Sequence, residues 1–209
     1  MREYEGWDLW WHWVRAHALG ALAGVPAAAV LGIPFLFVCG YYGLAISALM
    51  GGLVCLLAVA GAEQMVLWPY ASLAWLRNTV LGTLAAIPLA AVSAGPLDAL
   101  GWARYGAVAG AVVGLAQWPL LRAGYARAAV WVPAQAGGWA LGLVAARALL
   151  APLLTDNGPH VTSDQIFWSF ALGILAPTAV GALAATIAAV VTGGALFWIQ
   201  AARVPAPAP

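Results

Sequence analysis

Polar positions along this chain are rare, and they punctuate long apolar stretches. A helix needs about 20 apolar residues to cross a hydrocarbon layer, and six stretches of that length are present. They predict spans over Trp10–Phe37, Tyr42–Leu67, Leu73–Val92, Trp102–Leu121, Ala128–Leu150 and Pro177–Gln200. Pro26 and Pro34 are expected to kink or shorten the first span, and Pro88 to bend the third. The last apolar stretch, Ile166 to Trp198, is too long for one upright span, and Pro177 divides it. We therefore expect Ser163–Leu175 to be a short helix at the membrane surface. Pro177 would then sit in the first turn of the sixth span, where proline is tolerated. The connection Pro152–Asp164 is the one long polar loop, and residues 201–209 read as an extended, exposed tail.

Within this pattern lies a repeat. Trp13-Val14-Arg15-Ala16-His17-Ala18-Leu19-Gly20 recurs as Trp75-Leu76-Arg77-Asn78-Thr79-Val80-Leu81-Gly82 and again as Trp131-Val132-Pro133-Ala134-Gln135-Ala136-Gly137-Gly138. Each copy opens an odd-numbered span. The even-numbered spans carry a second pattern, Gly61-Ala62-Glu63-Gln64 matching Gly114-Leu115-Ala116-Gln117. Its third copy, Gly194-Ala195-Leu196-Phe197, has phenylalanine in place of glutamine. The predicted fold is an all-α polytopic membrane bundle forming a single domain over 1–209. Three parallel two-helix hairpins build it, with units near 10–68, 73–121 and 128–200. An odd number of parallel hairpins can close into a pseudo-threefold ring around the membrane normal.

Composition supports a lipid environment: 65% of the 209 residues are hydrophobic and 7% are charged, against about 25% charged in a soluble domain. The formal net charge is +1 and every cation is an arginine, with no clustered basic run, so a nucleic-acid partner is not expected. Six spans put both termini on one side, together with Arg2, Arg15, Arg77, Arg122, Arg127 and Arg203, while Arg104 and Arg147 fall on the other. The positive-inside rule assigns the richer side to the cytoplasm. The loop with Asp156, His160 and Asp164 then faces outward. The acidic start Glu3-Tyr4-Glu5 does not read as a secretory signal. Cys39 and Cys55 fall at different depths, so no disulfide is expected between them.

Small residues at four-residue spacing, Gly106-Gly110-Gly114 above all, with Gly20-Gly24 and Gly138-Gly142, read as surfaces where helices approach closely. The repeat starts and the glutamine motifs collect Arg15, His17, Arg77, Glu63, Gln64, Gln117 and Gln135 at one depth near the cytoplasmic interface. Ionisable groups there face the bundle or a water cavity. Arg15 and Arg77 are the expected partners of Glu63, while His17, Thr79 and Gln135 share one position of the repeat. Packing and anchoring explain this cluster; a polar site open to the cytoplasm is the alternative. Most of the 12 tryptophans, Trp13, Trp75 and Trp131 included, read as an aromatic belt at the membrane surface. Trp139 falls deeper, as a core residue or a surface on which a ligand stacks.

No pair of histidines shares a depth on different helices, so haem is not expected. No zinc, nucleophile or phosphate-loop motif is present, and no cofactor is indicated. Gly114-Leu115-Ala116-Gln117-Trp118-Pro119-Leu120, followed by Trp131-Val132-Pro133-Ala134 to Gly138, resembles a loose group of uncharacterised bacterial multi-pass membrane proteins. That resemblance implies a place in the bacterial inner membrane and transfers no activity or functional residue. The expected function is non-enzymatic: binding or stabilising a membrane partner, whether a lipid, a pigment or other subunits of a membrane complex. A small transporter or channel with a polar cytoplasmic mouth is the alternative. A lipid-modifying enzyme ranks last, and would need Glu63 and His17 within hydrogen-bond reach.

Overall fold

The structure, a computed structural model, describes residues 5–39, 54, 56–67, 73–95, 98–154 and 163–201. These residues are almost wholly helical. We label the helices α1 (Gly6–Cys39), α2 (Leu56–Leu67), α3 (Leu73–Ala94), α4 (Ala99–Arg122), α5 (Trp131–Leu154) and α6 (Ser163–Gln200). A single 3-10 turn, Ala128–Val130, leads into α5. Four segments are long and apolar enough to cross a membrane: Leu73–Ala94, Ala99–Arg122, Ala128–Leu149 and Ala179–Gln200. A helix suits that solvent because it satisfies its own backbone groups where no water can. Large apolar side chains on its outer face remain uncovered by protein, as Val92 does at 88% exposure.

Two expectations about element boundaries need correction. No separate surface helix precedes a sixth span, because Ser163–Gln200 runs as one helix of 38 residues through Pro177. A proline removes one backbone hydrogen bond and bends a helix, and an apolar environment on both sides of it favours continuation over a break. Asp164, assigned to the long loop, consequently lies in α6. The rest of that loop, residues 155–162, lies outside the described residues, as do Cys55 and the first half of the expected second span. Elsewhere the helix ends are local chemistry. Gly95 follows the last turn of α3 at φ +65°, the left-handed turn that glycine adopts freely. Asp98 caps α4, its side chain accepting from the Gly101 N–H at 2.7 Å.

The helices follow one another around a ring. Helix α3 packs on α4, α4 on α5, α5 on α6, and α6 on α1. Gly20 of α1 lies against the backbone of α2 at Val59, and Trp75 of α3 reaches back to Glu63 of α2. The glycine rows permit these approaches. A Cβ on Gly106 would stand 2.5 Å from the Trp139 carbonyl oxygen, and one on Gly110 would collide with the Gln135 carbonyl. Gly142 meets the Ala184 carbonyl in the same way. Lipid supplies no hydrophobic reason for helices to associate, so backbone proximity must drive it.

Candidate functional site: a tryptophan triad, a polar belt and a central cavity

Each odd helix carries, within its first two turns or so, a tryptophan that points to the middle of the ring. Trp13, Trp75 and Trp131 are essentially fully buried, with ring centroids 6.4, 5.8 and 6.0 Å apart. Their edge-to-face and tilted geometry is the arrangement aromatic quadrupoles favour. These three residues are therefore not part of the surface belt. They point inward because each indole N–H finds an acceptor on the even helix before it in the ring. Trp75 donates to Glu63 Oε2 at 2.9 Å, Trp131 to Gln117 Oε1 at 2.8 Å, and Trp13 to Thr192 Oγ1 at 3.0 Å. Gly193 has no side chain to displace the Trp10 and Trp13 indoles from α6.

One helical turn beyond the triad stand His17, Thr79 and Gln135, each four residues after its tryptophan and all buried. His17 Nε2 lies 2.9 Å from Glu63 Oε1. Gln117 Nε2 donates to Thr79 Oγ1 at 2.8 Å, and Gln135 Nε2 reaches Gln117 Oε1 at 3.4 Å. The expected partnership of Glu63 with Arg15 or Arg77 is thus corrected. Both arginines are exposed, as a long cationic stem near a helix end allows. Both carboxylate oxygens of Glu63 are instead engaged inside the ring, by His17 and Trp75. His17 Nδ1 is 3.0 Å from the Trp13 carbonyl, an acceptor only.

The sequence missed Thr192, which takes the acceptor role that alignment sought at Phe197. Phe197 is exposed and packs beside Trp7, with centroids 5.4 Å apart. A lone polar residue followed by Gly193-Gly194 was the available signal. The alignment also matched Gln117 with Gln64, whereas Glu63 makes the bond to the tryptophan. Gln64 is only half-buried. At the same end of the molecule, exposed tryptophans do form a surface band. Trp7 is 73% exposed, and Arg127 lies 4.5 Å over the Trp198 ring.

On the far side of the belt is a cavity of about 240 Å³. Every helix contributes to its wall: Ala21 of α1, Val59 of α2, Thr83 of α3, Val113 of α4, Trp139 of α5 and Ala185 of α6 are examples. The lining is almost wholly apolar, with the Thr83 hydroxyl already donating to the Thr79 carbonyl at 2.9 Å. Ala21, Thr83 and Trp139 each stand eight residues beyond a triad tryptophan, roughly 12 Å along a helix at ~1.5 Å per residue. Triad, belt and cavity are successive layers. Neither His17 nor Glu63 lines the cavity. Trp139 does, half-buried rather than sealed in the core. No group of three metal-ligating side chains occurs among the described residues. No known protein family, curated protein or solved structure matches this chain.

Proposed function

We propose that this chain is a non-enzymatic integral membrane protein that holds an apolar, membrane-derived molecule in its central cavity. The cavity carries this reading. It draws its wall from all six helices, is partly open, and is lined by aliphatic and aromatic side chains, in a molecule whose apolar outer surface suits lipid. A pocket of that chemistry is matched by a lipid chain or a similarly apolar guest. The same proposal takes six spans, paired as three hairpins about a pseudo-threefold axis normal to a bacterial inner membrane. The triad, drawn one tryptophan from each odd helix, supports that arrangement. The arginines at the triad end support placing both termini in the cytoplasm.

A solute pathway is less well supported. The buried polar groups of the belt bond mainly to one another, and the triad fills the axis beneath them. The enzyme reading draws on the 2.9 Å His17–Glu63 contact, but that pair stands outside the cavity where a substrate would lie. The test is native mass spectrometry of the protein extracted from its own membranes in mild detergent. A stoichiometric apolar molecule, released on unfolding, is expected. A bare chain from membranes that retain their lipids would overturn the proposal.

A further inference from the structure

Resting on the binding reading above, we infer that the cavity admits one flexible hydrocarbon chain and excludes polycycles of the size of pyrene, and that Trp139 sets this limit. The volume gives the first half of the argument. A buried apolar cavity of about 150 Å³ takes benzene, six carbons. On that scale the 240 Å³ measured here holds about ten carbons. A pigment macrocycle or a four-ring polycycle such as pyrene is larger than that, whereas a chain can leave its remainder among the bilayer tails. The lining gives the second half. Thr83 and Ala182 are small, Val113 and Leu143 are aliphatic, and no charged side chain is present to fix a headgroup.

Trp139 breaks the equivalence of the three layers. At the corresponding positions, α1 presents Ala21 and α3 presents Thr83. The indole therefore occupies part of a layer in which the other two repeats present small side chains. It is held from behind, because Gly106 lets the Trp139 backbone rest directly on α4. A side chain so placed narrows the cavity on one side, which leaves girth for a chain and not for a four-ring polycycle. Trp139 is thus a specificity-determining residue for girth.

The test uses the full-length protein in lipid nanodiscs and decanol carrying a terminal diazirine as the photolabel. Decane and pyrene serve as competitors, and the labelled peptides are mapped. In the wild type, label is expected on the α6 segment 181–185, with decane displacing it at least tenfold better than pyrene. In Trp139→Ala, pyrene is expected to compete as well as decane; Trp139→Leu, which keeps an apolar side chain, provides the same comparison if the alanine variant does not fold. Gly181→Leu is expected to abolish the label, since a Cβ at Gly181 meets nothing within 4 Å and the added side chain has room to fill the space. Equal competition by pyrene and decane in the wild type would overturn the chain-only limit. Unchanged selectivity in both Trp139 variants would overturn the role of the indole. Wild-type labelling no stronger than in Gly181→Leu would overturn the binding reading itself.

Discussion

At the scale of single residues, the belt separates a proton from a shape. Glu63 and Gln117 do the same geometric work. Each accepts from a triad tryptophan and each bonds a side chain one turn beyond the triad. Glutamine at position 63 would accept from Trp75 through its oxygen and donate to His17 Nε2 through its amide. Glu63→Gln is therefore expected to unfold within about 1 kcal/mol of the wild type. Glu63→Leu strands a buried imidazole nitrogen and an indole N–H, each an unsatisfied group costing about 1–3 kcal/mol. Thermal unfolding in detergent, read by tryptophan fluorescence, distinguishes them. An equally large loss for both variants would show that the charge, rather than the hydrogen-bond pattern, holds the ring. A folded Glu63→Gln protein that no longer retains its ligand would instead assign the carboxyl group a function. The triad offers a companion prediction. Trp75→Phe leaves a carboxylate oxygen without its donor, while Trp131→Phe leaves Gln117 Oε1 still facing Gln135. Trp75→Phe is expected to be the more destabilising, and the order of the two melting temperatures checks it.

At the scale of elements, the glycines divide into two classes that composition alone does not reveal. Gly106 and Gly137 are both helical, yet only the first has a neighbour in the way of a side chain. Gly106→Ala forces α4 away from the Trp139 backbone and is expected to lower stability by about 1–3 kcal/mol, the usual cost of overpacking. Gly137→Ala meets nothing and is expected to gain up to about 1 kcal/mol from helix propensity. Melting temperatures of opposite sign relative to the wild type are the expected outcome; two losses would mean that α5 has an unseen neighbour at Gly137. The elements were readable in the sequence because apolar length is a strong signal and because each odd helix opens with Trp-x-x-x-polar. What could not be read was direction. Periodicity placed Trp13, Trp75 and Trp131 at the right depth, but a tryptophan near a helix end fits a surface belt as well as a buried axis. Only the acceptors on adjacent helices decide between them, and one of these, Thr192, lies 179 residues from its donor. The same long-range closure hid the partner of Glu63. His17 and Arg15 are two residues apart, and a sequence gives no reason to prefer the histidine. Pro177 was misread for a different reason. Proline lowers helix propensity everywhere, but its cost falls where the flanking residues have nothing better than a helix to form.

At the scale of the whole molecule, the layers make a statement about sidedness. The triad end carries Arg15, Arg77, Arg122 and Arg127, all exposed, while the described residues at the opposite end contribute Arg104 and Arg147. Arg122 lies 5.1 Å over Trp118, with its charge free to reach a headgroup above the ring. Indoles and guanidiniums at one end suit an interface; in the proposed orientation the cavity, on the other side of the belt, lies toward the middle of the bilayer and the outer leaflet. A guest drawn from that leaflet could enter without crossing the belt. The proposed three-hairpin ring makes this testable through topology. With Cys39 and Cys55 replaced by serine, single cysteines at Asn157 and at Arg77 report on the two ends. A membrane-impermeant maleimide applied to intact cells is expected to label Asn157→Cys and to leave Arg77→Cys unmodified until the membrane is opened. The reverse result would invert the orientation and move the cavity toward the cytoplasmic leaflet. Labelling of both sites in intact cells would break the six-span arrangement, in which the third, fourth and fifth spans separate Arg77 from Asn157 and so put them on opposite sides. The first two outcomes place the guest's entry in opposite leaflets, so the topology decides which pool of lipid the cavity can sample.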